Sequence, residues 1–131
     1  MNEHHIINML RNSFSDDNIK QQVLDVNWYQ LNIKTGIHST GFCFYASEVL
    51  FRLTGGNHIW QVRYIQDPTH WRNGTHYFLK RRANNEVVDI TADQYTERGI
   101  IIPYCDGRGN RFRLISNKAR CLARLSGLGE L

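Results

Sequence analysis

The sequence has no Cys-x-x-Cys pair, no internal repeat, no low-complexity segment and no long apolar run. Its three cysteines, Cys43, Cys105 and Cys121, are an odd number without metal-type spacing, which argues against a disulfide framework and against a cysteine-rich zinc site. No stretch approaches the roughly 18 apolar residues of a bilayer-spanning helix, and the first residues, Met1 to His5, lack the basic and apolar blocks of a secretory signal. A cytoplasmic protein that does not enter the membrane is therefore expected. The turn Cys105 to Asn110 is glycine-rich but lacks the Lys-Ser/Thr end of a phosphate loop, so no cofactor is expected there or elsewhere. Charge is also modest, at a formal +4 over 131 residues, with the excess in Arg81, Arg82 and the tail from Arg108 to Arg124. Nucleic acid is compatible with that balance but not required by it, since a solvated basic face accounts for it equally.

What is present is the length of one domain, residues 1–131, enough to bury a core without staples. Ile6, Ile7, Met9 and Leu10 predict an amphipathic helix over residues 3 to about 13. Ser15 reads as the cap of a second helix, with Asp16 and Asp17 in its first turn, running past Val23, Leu24 and Trp28. The polar piece Asn32 to Gly41 reads as a loop, and Phe42 to Leu53 as a core helix with Phe42, Ala46, Val49, Leu50 and Leu53 at helical steps, closed by Gly55 and Gly56. The period then changes to two. Ile59 to Ile65, Thr75 to Lys80 and Glu86 to Ile90 predict strands, the last two antiparallel across Arg82 to Asn85. Thr91 is placed as the cap of one helical turn through Gln94 and Tyr95. Ile100 to Pro103 and Arg111 to Ile115 are placed as short strands, and Ser116 as the cap of a C-terminal helix.

Cys43 stands in the first turn of the apolar helix, where unpaired amide donors and the helix dipole favour thiolate over thiol. A buried free cysteine is the commoner fate of such a residue, so position alone does not make it a nucleophile. Two downstream residues change the balance. His76 is a polar residue inside the apolar strand Thr75 to Leu79, and Asp89 sits the same way in Glu86 to Ile90. Polar side chains on neighbouring buried strands suggest that they meet, and a thiol nucleophile needs a base held by a third polar group. Direct opposition of His76 and Asp89 centres the connection on Arg82 and Ala83, whereas a tight turn at Asn84 and Asn85 would set His76 against Asp93, the reserve third member.

The rival histidines are His38, His58 and His70; His70 and His76 with Asp67 match no strong metal spacing, so no metal is assigned, and His4 and His5 read as surface residues. His38 and Ser39 in the presenting loop, Gln94, and Trp71 in the 66–74 loop are the further candidates to line the site. Trp60, Tyr64, Trp71 and Tyr77 are also the aromatics available to a non-enzymatic module that binds protein or nucleic acid, although core packing is the expectation for Trp60 and Tyr64.

The pattern Gly41, Phe42, Cys43 opening a helix, Gly55 and Gly56 closing it, His76, Tyr77, Phe78 on a strand, and Asp89 through Gln94 and Tyr95 resembles the small bacterial YunG-like proteins. More broadly it is similar to the papain-like and NlpC/P60-like cysteine peptidase superfold, over roughly Ser13 to Tyr104. The resemblance implies an α+β fold, a Cys-bearing helix packed on an antiparallel sheet, and a triad of Cys43, His76 and Asp89 acting on a protein or peptide-like substrate. Papain's oxyanion-hole glutamine, a few residues before its cysteine, has no counterpart in Ile37 to Phe42, as in the NlpC/P60-like branch. Its place would fall to the Cys43 backbone N–H with Ser39 or His38.

Overall fold

A computed structural model describes residues 2–69 and 74–131. The architecture is α+β: α1 (Glu3–Ser13), α2 (Asp17–Val23), α3 (Val26–Thr35), α4 (Cys43–Leu53), β1 (Trp60–Gln66), β2 (Thr75–Arg81), β3 (Val87–Val88), α5 (Asp93–Thr96), β4 (Arg108–Asn110) and α6 (Asn117–Leu125). The strands form one antiparallel sheet in the order β3-β2-β1-β4. Among the described residues no helix is long and apolar enough to cross a membrane.

Alternation along β1 and β2 gives the sheet two apolar faces. Trp60, Val62 and Leu79 meet α4, α1 and α6 in the larger core, where Ala46, Val49 and Leu50 have no exposed surface. Ile65 and Phe78 point the other way, into a smaller cluster closed by Tyr95 and Ile102. Both faces are thus covered near the end of the sheet where β2 begins.

Local chemistry explains the helix starts. Asn2, Asp16, Asp25 and Ser116 each accept a hydrogen bond from a first-turn amide of α1, α2, α3 and α6 respectively. The cap of the second helix is therefore Asp16, not Ser15. The expected long second helix is also two helices, because Leu24 is extended (ψ 142) and Asp25 caps α3 through Trp28 N–H. α3 then runs through Asn32 to Thr35 and stops at Gly36, in the left-handed conformation (φ 69), so the presenting loop is shorter than Asn32 to Gly41.

Three further expectations fail. Ile100 to Pro103 is not a strand but an irregular segment whose Ile102 packs on Phe78, and the last strand is Arg108–Asn110, within the predicted turn and not at Arg111 to Ile115. Thr91 does not cap α5 either; its hydroxyl accepts from Gln94 Nε2 at 3.0 Å.

Gly41 seats the Cys43 segment against α2 and α3. Its φ is +92, and a Cβ there would lie 3.1 Å from Leu24 Cδ2 and 3.2 Å from Trp28 Cβ. Gly41→Ala is therefore expected to cost about 2 kcal/mol, combining left-handed strain with overpacking. A thermal melt checks this; an unchanged midpoint would mean that the loop relaxes freely.

Candidate active site

Cys43 opens α4, and Phe42 before it is buried and stacked on Phe14, with ring centroids 4.6 Å apart. Among the helices of seven or more residues, α4 stands apart in having no side-chain cap. Its first backbone bond runs from Ala46 N–H to the Phe42 carbonyl, and among the described residues no acceptor is bonded to the N–H groups of Cys43, Phe44 or Tyr45. Donors beside the sulfur are thus left open.

His76 is the second residue of β2 and has no exposed surface. Its Nε2 lies 2.7 Å from Asp89 Oδ2, and the Asp89 side chain is itself only 4% exposed. The expected strand pairing is corrected here. Leu79 pairs with Val88 and Lys80 with Val87, which sets Asp89 across from Phe78, not His76. The connection is the four residues Arg82 to Asn85, closed by Asn85 N–H on the Arg81 carbonyl with Asn85 at φ 62. The chain leaves the sheet after Val88, so Asp89 reaches His76 on the diagonal of the same face.

The histidine and the cysteine helix lie on opposite faces of the sheet, since His76 shares its face with Phe78 while α4 packs against Leu79. They meet around the end of β2. The Cys43 thiol donates to the Thr75 carbonyl at 3.8 Å, one residue before His76, and is close enough to hydrogen-bond the imidazole. A carboxylate accepts, so Nε2 carries a proton toward Asp89, and Nδ1 is the nitrogen that faces the Gln94 amide.

Burial opposes the charge on His76, but its hydrogen bonds with Asp89 and Cys43 and their coulombic attraction outweigh it, raising its pKa from 6.5 to about 10. The ring is further held edge-on against Tyr95, 4.8 Å between centroids, and the Tyr95 hydroxyl donates to Asp67 at 2.8 Å. Tyr104 donates to Asp89 Oδ2 at 2.7 Å, and the Thr91 N–H to Oδ1 at 3.3 Å. Burial, followed by the charge of Asp89, pushes the Tyr104 hydroxyl well above its ordinary range, so it stays a donor. The carboxylate is thus aimed by three groups.

The remaining candidates separate. Gln94, 2% exposed, points its Nε2 at His76 Nδ1 from 3.3 Å and lines the Cys43 hollow. Asp93, the reserve third member, instead accepts from the Ser39 hydroxyl at 2.6 Å, which ties the presenting loop to α5 and engages the hydroxyl that an oxyanion role would need. His38 is turned away as well. Its Nδ1 accepts from Lys20 Nζ at 2.8 Å, and burial pushes the Lys20 ammonium below its ordinary pKa. Trp71 and His70 lie outside the described residues. Among the described residues no three His, Cys, Asp or Glu side chains gather to hold a metal ion.

A hollow of about 220 Å³ opens over the sulfur, walled by Trp28, Tyr45, Tyr77 and Gln94 with Asp25 at its rim. A larger one, about 530 Å³, lies beside it and shares Thr75. The smaller holds both Cys43 and Gln94. No family model, curated protein or solved structure matches the chain. The functional assignment stands on this geometry. Tyr104 and Thr91 escaped sequence reasoning, because neither lies in a periodic element and each reaches Asp89 only through the path of its loop.

Proposed function

We propose that this protein is a cysteine hydrolase or acyl transferase of the papain-like, NlpC/P60-like kind, acting on an amide or related acyl bond of a protein or peptide-like substrate. One observation carries the reading: a buried imidazole bound through Nε2 to Asp89 at 2.7 Å, with a helix-borne thiol within its interaction range. The α+β frame, with its cysteine helix on an antiparallel sheet, supports the same assignment.

In this reading Cys43 gives its proton to His76 Nδ1, and the sulfur attacks the substrate carbonyl carbon. The carbonyl electron pair moves to oxygen, which the open N–H groups at the start of α4 receive. The tetrahedral adduct collapses, the C–N bond breaks, and the leaving amine takes the His76 proton. Water then attacks the thioester, His76 accepts its proton and returns it to sulfur, and the acid departs. An amine in place of water makes the reaction a transfer. Asp89 holds the ring and stabilises its charge throughout.

Gln94 faces Nδ1 and lines the hollow that holds Cys43. While the ring is neutral its amide donates to Nδ1; once Nδ1 is protonated that contact becomes donor against donor, and the amide is released toward the oxyanion. All three cysteines are free thiols, which suits a reducing cytoplasm.

The test is covalent trapping. Incubation with a panel of activated thioesters and peptide amides, followed by mass spectrometry, is expected to place an acyl group on Cys43 in the wild type and none in His76→Ala. Acylation that falls first on exposed Cys105, or that survives loss of His76, would sink the proposal.

A further inference from the structure

Arg81 is bound to Glu3 and Glu86, and Arg52 to Glu48. Arg63, Arg82 and Arg111 make no ion pair with any carboxylate among the described residues, and these three line one hollow of about 380 Å³ together with Asn57, Gln61 and Asn110. The described residues lining it include no acid. Three fixed positive charges without a counterion concentrate field in a concave surface, and like charges are held together there at a cost that an anion would relieve.

The fold assembles this hollow deliberately in space. Arg63 points from the sheet face that carries Phe78, away from the helices, and pairs in register with Gly109 on the edge strand. Gly109 leaves the space above β4 open, with Arg63 Nη1 3.5 Å from where a Cβ would stand. Arg82 is anchored through Nε to the Asn57 carbonyl at 2.7 Å, so its two terminal nitrogens face outward and unbonded among the described residues. Gln61 and Lys80, paired across β1 and β2, adjoin it on the same face. Planar guanidinium forks present paired donors at the spacing of phosphate oxygens, which ammonium groups do not.

We propose that this hollow binds a phosphoryl group, independently of the cysteine site. The shared chemistry has two sources, the phosphodiester of a single-stranded nucleic acid and a small phosphorylated molecule. It is tested on the full chain with two probes: a fluorescent single-stranded oligonucleotide of about 12 nucleotides, and inorganic pyrophosphate, each at about 50 and about 200 mM salt. Salt-sensitive binding that weakens about tenfold in both Arg63→Gln and Arg111→Gln, and is unchanged in Arg124→Gln on α6 and in Cys43→Ser, is expected. Tight oligonucleotide with weak pyrophosphate binding assigns the nucleic-acid source, and the reverse the small molecule. No binding of either probe at the lower salt, or equal losses in Arg63→Gln and Arg124→Gln, overturns the proposal. Arg111 is exposed beyond the end of β4, so Arg111→Gln carries the test if Arg63→Gln lowers the melting temperature.

Discussion

In His76→Ala, alkylation of Cys43 by iodoacetamide at about pH 6 is expected to fall at least tenfold, to a rate no higher than that of Cys105. The expectation is counterintuitive from exposure, because Cys105 is exposed whereas Cys43 is half-buried. Accessibility alone would make Cys105 the faster thiol. Only the thiolate reacts, however, and in the proposed site His76 is the base that takes the Cys43 proton. The measurement follows each cysteine separately by mass spectrometry, in wild type and variant. Equal slow labelling of Cys43 in both proteins would remove the case for an activated pair and leave a buried histidine with a structural role.

Asp89→Ala is expected to lower stability by about 3–5 kcal/mol, the cost of leaving a buried charge without its partner. The His76 ring would lose its 2.7 Å acceptor and the Tyr104 hydroxyl its own, both inside the smaller core. A pH series separates the charge effect from lost packing. His76 binds its proton more tightly folded than unfolded, with a pKa raised from 6.5 to about 10. Its contribution is therefore complete below about pH 6.5 and is lost as pH rises through about 10. The wild type is expected to melt progressively earlier over that window, and Asp89→Asn, which keeps the shape and removes the charge, to show a shallower decline. Identical slopes in the two proteins would show that Asp89 does not hold the proton on His76. Chemical denaturation at several pH values reads both the offset and the slope.

Much of the frame was legible because it follows from period and capping. The apolar steps of Ile6 and Leu10 and of Ala46, Val49 and Leu50 mark the core faces of α1 and α4, and Ser116 does cap α6 through Ala119 N–H. Period could not detect the break at Leu24, since Val23 and Leu24 are buried on either side of it and the apolar pattern continues across. Composition misled at β4. Arg108, Gly109 and Asn110 have little strand propensity and are exposed, and they become a strand by pairing with Val62, Arg63 and Tyr64. Ile100 to Ile102 has the propensity and no partner strand.

The site divides along the same line. Cys43 at the head of a helix and single polar residues at His76 and Asp89 in apolar strands can be read from the chain alone, because alternation sets the two on one face for any connection of an even number of residues. The sequence likewise carries its basic excess in Arg81, Arg82 and the tail from Arg108 to Arg124. Tertiary structure decided the rest. The four-residue turn chose the diagonal register over direct opposition, Lys20 drew His38 away, Asp93 took Ser39, and Tyr104 closed on Asp89. Each of those is a contact between residues brought together by loop paths, and loops carry no periodic signal because their backbone bonds are satisfied case by case.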